Sequence, residues 1–185
     1  EQQIILDSVP AMVFYKDKEN HFIRVNRAFA EAMGVSKENL EGKSLFGLYP
    51  KEQAEGSWKD DKEVMASGKA KMGIVEEMET AAGRRWVQTD KIPFLDIRGA
   101  VVGIIGFAVD ITDHKRIEAE IYESREHFRV LAEAMPQIVW SADSLGKIDY
   151  YNRRVFEYSA FPDDLKDLNW KFVIHPDDLE KTMTI

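Results

Sequence analysis

The sequence contains no cysteine. That absence excludes disulfides, cysteine-ligated zinc or iron–sulfur clusters, thiol nucleophiles and any cysteinyl adduct with a chromophore. Positive charge is also short, with 25 Lys+Arg against 33 Asp+Glu and a formal net charge of −8 over 185 residues. Such a chain repels nucleic-acid phosphates and anionic membrane surfaces, so neither is expected as a partner. Long apolar runs are missing too. The longest, Ala100 to Val109 (AVVGIIGFAV), lies between Gly99 and Asp110 and is about half of the ~18 residues that a transmembrane helix needs. It reads as a buried strand. The start, EQQIILDSVP, lacks the basic stretch and small-residue cleavage site of a signal peptide. The segment is therefore expected to be cytoplasmic, neither secreted nor anchored by its own sequence.

Catalytic constellations are absent as well. None of the four histidines, His21, His114, His127 and His175, has a partner at zinc-ligand or HExxH spacing. His175-Pro176-Asp177-Asp178 reads as a helix start, with Pro in the first turn and acids near the positive end of the dipole. Gly103 and Gly106 fall inside a strand, so they do not form a phosphate-cradling loop. The acid pairs Asp60-Asp61 and Glu76-Glu77 read as solvated faces. No catalytic or metal-binding residue is assigned.

What is present is an internal repeat. Sliding the chain so that Val9 falls on Met135 also places Pro10 on Pro136, Val13 on Val139, Asp17 on Asp143, Asn26 on Asn152 and Arg27 on Arg153. The register persists without a gap to Glu31 on Glu157 and Pro50 on Pro176. A period this long fits tandem copies of one domain, not a solenoid. Residue 185 corresponds to Lys59 of the first copy, so the second copy stops before its last three strands. The predicted division is a complete domain over 1–112, a linker helix over 113–134 and the N-terminal half of a second domain over 135–185.

In the first copy, Met12 to Lys16 and Phe22 to Val25 read as strands joined by a polar turn, and Asn26 caps a helix that Gly34 ends. A short helical turn at SKENL follows, then a longer helix from Pro50 to Gly68, with Ala54, Trp58, Met65 and Asp61 marking one face. Strands are expected over Met72 to Thr80, Arg85 to Pro93 and Val101 to Val109. The predicted class is α+β, a five-stranded antiparallel sheet with helices on one face. Val101 to Val109 is expected centrally, beside Met12 to Lys16. Its second apolar face, Ile105, Phe107 and Val109, needs a cover from the IIL at 4–6, a lead-in helix or a partner subunit. In Thr112 to Ala134, positions Ile117, Ile121, Ser124, Phe128, Leu131 and Met135 alternate spacings of four and three, the seam of a coiled coil. An amphipathic helix lying on its own domain has the same pattern.

This order of elements, with Asp17 in the first hairpin, VNRAF at 25–29, TDKIPF at 89–94 and above all DITDHK at 110–115, resembles a PAS domain, the sensory module of bacterial signalling proteins. The resemblance covers Ile5 to Lys115. Phe128 to Met183 resembles the first half of a second PAS domain, through FRVLAEAMPQIVWSADSLGKI and HPDD at 175–178. The resemblance implies that Phe14 and Lys16, Val87, Thr89 and Lys91, and Ile104, Gly106 and Ala108 face an inner cavity, closed by Phe29, Trp58 and Met65. An inward lysine in an apolar cavity needs a carboxylate nearby or an anionic ligand, unless its amine reaches the rim. The family's flavin adduct needs a cysteine on the Pro50–Gly68 helix, and its haem a histidine there; this helix has neither. Non-covalent flavin stays open, with Trp58 able to stack or simply to fill the core. Asp110 and Thr112 are the expected signal junction, with Thr112 or Asp113 capping the linker helix. By the same resemblance the segment senses a small ligand or cofactor, dimerises through its N-terminal segment and linker helix, and relays change to an effector in a longer chain such as a histidine kinase or diguanylate cyclase. A ligand-free spacer and dimerisation module is the alternative, and a small enzyme built in a similar cavity a third reading.

Overall fold

The computed structural model describes residues 2–145, 147–159 and 177. The chain falls into two compact units that divide after Ile117. In the first, helix α1 (Gln2–Ser8) precedes strands β1 (Met12–Asp17) and β2 (Phe22–Val25). Helices α2 (Arg27–Met33) and α3 (Lys37–Leu40), a single 3-10 turn at Leu45–Gly47 and helix α4 (Lys51–Ser67) follow. Strands β3 (Lys71–Thr80), β4 (Gly83–Leu95) and β5 (Val101–Asp110) complete it. The five strands form one antiparallel sheet in the order β2-β1-β5-β4-β3. The apolar run thus lies centrally beside β1, as its two apolar faces require.

Alternation sorts β1 cleanly: Met12, Phe14 and Lys16 face the helices, and Val13 and Tyr15 face away. The core on the helical side is built from Phe14, Phe22, Phe29, Leu40, Leu45, Val64 and Ile104. Three rings, Phe14, Phe22 and Phe29, meet at centroid distances of 5.3 to 5.8 Å. The outer face is half-buried at Ile105 and Phe107, where Tyr15 packs on Phe94 at 4.6 Å. The IIL segment does not supply the expected cover. Ile4 and Ile5 are exposed, and α1 is instead tied to α2 and α3, where Asp7 accepts from the Arg27 amide at 2.7 Å and from Lys37.

Asn26 explains this docking. Its Oδ1 accepts from Val13 N at 2.9 Å and caps α2 through Phe29 N at 3.0 Å, while its Nδ2 donates to Leu6 O at 3.1 Å and Ala11 O at 2.8 Å. One fully buried side chain therefore joins α1, β1 and α2. The second unit contains β6 (Trp140–Ala142), β7 (Ile148–Tyr151) and α6 (Arg154–Ser159), following helix α5 (Thr112–Ala134). There Asn152 repeats the bonds of Asn26, accepting from Val139 N at 3.0 Å and donating to Ala132 O and Gln137 O at 2.8 and 2.9 Å. Glu133 accepts from the Arg153 amide at 3.0 Å, as Asp7 does from that of Arg27. The expected helix start at 175–178 lies outside the described residues except for Asp177, which is helical.

The small residue at 106 has a use that the sequence did not indicate. A Cβ built on Gly106 would lie 2.1 Å from Cζ of Phe14. The glycine makes room for that buried ring, not for a helix or an open ligand space. Gly106→Ala should therefore destabilise the fold by about 1–3 kcal/mol through overpacking. Combined with Phe14→Leu, the second change should cost less than it does alone, because the ring causing the clash is gone. Denaturant unfolding of the two single variants and the double variant measures this coupling; strictly additive costs would refute it.

Candidate functional site

Helix α4 presents Ala54, Asp61 and Val64 to the sheet. Asp61 is fully buried. Its Oδ2 accepts a hydrogen bond from Lys16 Nζ, and its Oδ1 lies 2.9 Å from Lys91 Nζ. Strands β1 and β4 flank β5, so two ammonium groups approach one carboxylate from either side of the central strand. Lys91 also donates to Ser57 O and Oγ at 2.9 and 3.0 Å, and Lys16 to Asn20 Oδ1 at 3.2 Å. The rings of Phe14 and Phe22 face the Lys16 ammonium at 5.5 and 5.7 Å. Burial holds Lys16 below its ordinary value, against the opposing pull of Asp61.

The expectation of a solvated Asp60-Asp61 pair is thus half wrong. Neighbours on a helix point about 100° apart, so Asp60 reaches outward to Lys71 at 2.8 Å while Asp61 turns in. The signal was an acid on the same helical stripe as Ala54, facing two inward lysines. Neither lysine reaches the rim: Lys16 is 1% and Lys91 0% exposed.

Between α4 and the inner sheet face lies a cleft of about 30 Å3, room for about two water molecules. Of the residues expected there, Phe14, Lys16, Phe29, Thr89, Lys91 and Ala108 line it. The others do not. Trp58 is half-buried and sits beside Lys62 at 5.8 Å, Met65 packs on the edge of the core, and Ile104 is buried within it. Gly106 is covered by the Phe14 ring. Val87 is buried and lines a separate groove with Pro10, Ala28 and Ala81. The sequence reading missed Phe22, Leu45, Tyr49, Gln53, Ser57, Glu76 and Met78, because their approach depends on how the helices cross the sheet. Tyr49 donates towards the sulfurs of Met33 and Met78 at 3.2 and 3.5 Å, and burial pushes its hydroxyl up. Gln53 Nε2 reaches across to Glu77 O at 3.0 Å, strapping α4 to β3.

At the far end of β5, a single residue, Ile111, separates strand from helix. Asp110 Oδ1 accepts from Thr112 N at 2.8 Å, Ile111 N donates to Trp86 O at 2.8 Å, and Thr112 Oγ1 accepts from Trp86 N at 2.9 Å. The capping side chain is therefore Asp110, not Thr112 or Asp113. Thr112 instead ties the helix to β4. Among the described residues, no cluster of metal-ligating side chains occurs and no helix is long and apolar enough to cross a membrane.

The family profile described as PAS fold matches residues 6–116. The chain belongs to the PAS family. It is 27% identical over 180 residues to an uncharacterized protein, y4lL, of Sinorhizobium fredii, covering 96% of this chain and 22% of that one. It is 26% identical over 165 residues to the peroxide stress-activated histidine kinase mak1 of Schizosaccharomyces pombe, covering 85% and 10%. The aerobic respiration control sensor protein ArcB of Escherichia coli is 28% identical over 114 residues, covering 61% and 14%. The chain thus spans less than a quarter of each of these relatives. Among solved structures, a PAS domain from Colwellia psychrerythraea aligns with a TM-score of 0.53 at 20% identity, covering 60% of this chain and 95% of that one, a likeness of fold. A phage VqmA–DPO complex aligns with a TM-score of 0.54 at 26% identity, covering 69% and 62%. This is a PAS sensory domain of the kind found in signal-transduction proteins.

Asp61→Asn should be costly, since it leaves two buried ammonium groups without their carboxylate, a loss of about 3–5 kcal/mol. The pH dependence has a definite sign. Lys16 binds its proton less tightly folded than unfolded, so stability rises with pH from the lowered folded value up to the ordinary 10.5. Removing the counter-charge lowers the folded value further, so in Asp61→Asn the rise should begin at lower pH and gain more in total. Denaturant unfolding between neutral pH and pH 10 measures it; an unchanged profile would mean that Asp61 does not govern Lys16.

Proposed function

We propose that the PAS unit binds a small ligand in the cleft beneath α4 and relays the change through β5 and the Asp110–Thr112 junction into α5. The observation that carries this reading is the placement of polar groups at the buried end of the cleft: Lys16, Thr89 and Lys91 lie on β1 and β4, the two strands paired to β5. A group bound there acts on the strands that flank the one leading into α5. The similarity to VqmA, whose phage form is described in complex with DPO, supports a bound small molecule. The short junction supports the relay, since one residue between strand and helix leaves little slack. The effector then belongs to a longer cytoplasmic chain such as a sensor kinase, with 135–185 as the opening of a second PAS unit and 113–134 as the linker.

Dimerisation through α5 belongs to the same proposal. Ile117, Ile121, Phe128 and Leu131 are each about half exposed along the helix, an apolar seam available to a second copy. Exposed Ile4 and Ile5 of α1 extend the surface that a partner can cover.

A second reading has its own support. The Phe14, Phe22 and Phe29 rings pack on one another inside the domain, which fits a spacer module with a closed core.

Native mass spectrometry of the purified chain separates the two. The sensor reading expects a small molecule retained by the wild type and lost in Ala108→Leu, whose longer side chain fills the cleft at a cost of about 1–3 kcal/mol. Identical bare masses for both proteins favour the spacer. For the seam, Ile121→Glu should shift the sedimentation equilibrium from dimer to monomer, and a wild type that sediments as a monomer at high concentration removes the dimer from the proposal.

A further inference from the structure

A buried tyrosine hydroxyl ordinarily finds a strong acceptor. That of Tyr49 does not. Among the described residues its partners are two thioether sulfurs, Met33 Sδ at 3.2 Å and Met78 Sδ at 3.5 Å, and such a sulfur accepts weakly. Burial pushes the hydroxyl up, so it stays protonated and donates. The three residues come from the end of α2, the turn before α4 and the inner face of β3. A second observation supplies a path for a small reagent. Met78 is 7% exposed, yet it lines both the cleft beneath α4 and a groove of about 520 Å3 between α2 and the β3–β4 hairpin. Short side chains at Ala28, Ala32, Ala81 and Ala82 leave that groove open.

We propose that Met78 is an oxidation site, a thioether that takes an oxygen atom from hydrogen peroxide and is held as the sulfoxide by the Tyr49 hydroxyl. The sulfur lone pair attacks one peroxide oxygen, and the S–O bond forms as the O–O bond breaks. The proton of the transferred oxygen passes to the departing hydroxide, which leaves as water. Sulfur loses two electrons and the peroxide gains them. Negative charge gathers on oxygen in this step, beside a hydroxyl already placed to donate to it. The product suits the site as well. A sulfoxide oxygen about 2.7 Å from Tyr49 Oη needs its sulfur somewhat farther off than a thioether in direct contact. Met78, at 3.5 Å, has that room where Met33, at 3.2 Å, has less. Oxidation thus gives a buried donor its acceptor instead of stranding a buried acceptor. Because Met78 also belongs to the wall of the cleft, the added oxygen changes the lining there. The site does not depend on any ligand in the cleft.

The test is a time course of the whole chain in dilute hydrogen peroxide, quenched with free methionine and read by peptide mass spectrometry at each methionine, with circular dichroism followed in parallel. Met72, 60% exposed, reports the rate of an open thioether. Met12 controls for access: it lines the same groove and is 6% exposed, but among the described residues no hydroxyl meets its sulfur. In the folded protein Met78 should oxidise about tenfold faster than Met12, the order expected for one hydrogen bond gained in the transition state. Tyr49→Phe should bring those two rates together and leave Met72 unchanged. At equilibrium, oxidation should raise the unfolding constant of Tyr49→Phe about tenfold more than that of the wild type, since the buried sulfoxide then lacks its donor. Equal rates at Met78 and Met12 in the wild type, or a Met78 rate that ignores Tyr49→Phe, overturn the proposal. A Tyr49-dependent rate at Met33 in place of Met78 overturns the assignment to Met78. Should Tyr49→Phe fail to fold, the wild-type ratio still decides. Met78→Leu then adds a second signal, because it should abolish the shift of the tyrosine ultraviolet band that oxidation produces in the wild type; a shift that survives counts against the site.

Discussion

The helical layer is fastened to the sheet by one carboxylate. Asp61 meets Lys16 on β1 and Lys91 on β4 in the space above β5, so α4 is registered by charge against two strands and by packing against the strand between them. Apolar contacts alone let a helix slide by a fraction of a turn at modest cost. A buried carboxylate held between two ammonium groups does not, because any displacement separates charges in a medium that screens them poorly. The arrangement adds little net stability over a well-packed apolar equivalent; what it fixes is position. The cleft, the Phe14–Phe22–Phe29 cluster and the strap from Gln53 to Glu77 all take their geometry from where α4 comes to rest.

The fold was largely legible in the residue pattern, and the reasons are local. A short β-prone run marked β1, Asn26 and Gly34 bracketed α2, and the length of AVVGIIGFAV with apolar residues on both faces placed β5 in the middle of the sheet. The cleft was legible only along the strands. Phe14, Lys16, Thr89, Lys91 and Ala108 were found because the family resemblance supplies the inward face of each strand and alternation then fixes which residues share it. Residues contributed by α4 and β3 depend on the crossing of helix over sheet, which no local pattern encodes. Trp58 was therefore placed inside when it lies beside Lys62, and Ser57, one position earlier, was overlooked although it receives Lys91. Gly106 misled for a related reason. A missing side chain announces space, but not which neighbour fills it, and here the neighbour is Phe14 across the strand pair.

The junction between β5 and α5 shows a different economy. Asp110, Ile111 and Thr112 each bond locally, two of them to the backbone of Trp86, so the helix starts from β5 and its neighbour β4 at once. The sheet and its exit helix share a boundary one residue long.

The Asn26 and Asn152 side chains carry a consequence for where this chain can be cut. A shortened chain starting at Val9, where the internal repeat begins, keeps every strand of the sheet. It nevertheless removes the Leu6 carbonyl that receives Asn26 and the Asp7 carboxylate that receives the Arg27 amide. A cut at Met135 strips Ala132 and Glu133 from Asn152 and Arg153 in the same way. Each unit is therefore completed by the last turn of the helix that comes before it. The boundary that matters for independent folding runs through those helices, and a fragment trimmed to the visible repeat begins life with a buried amide short of an acceptor.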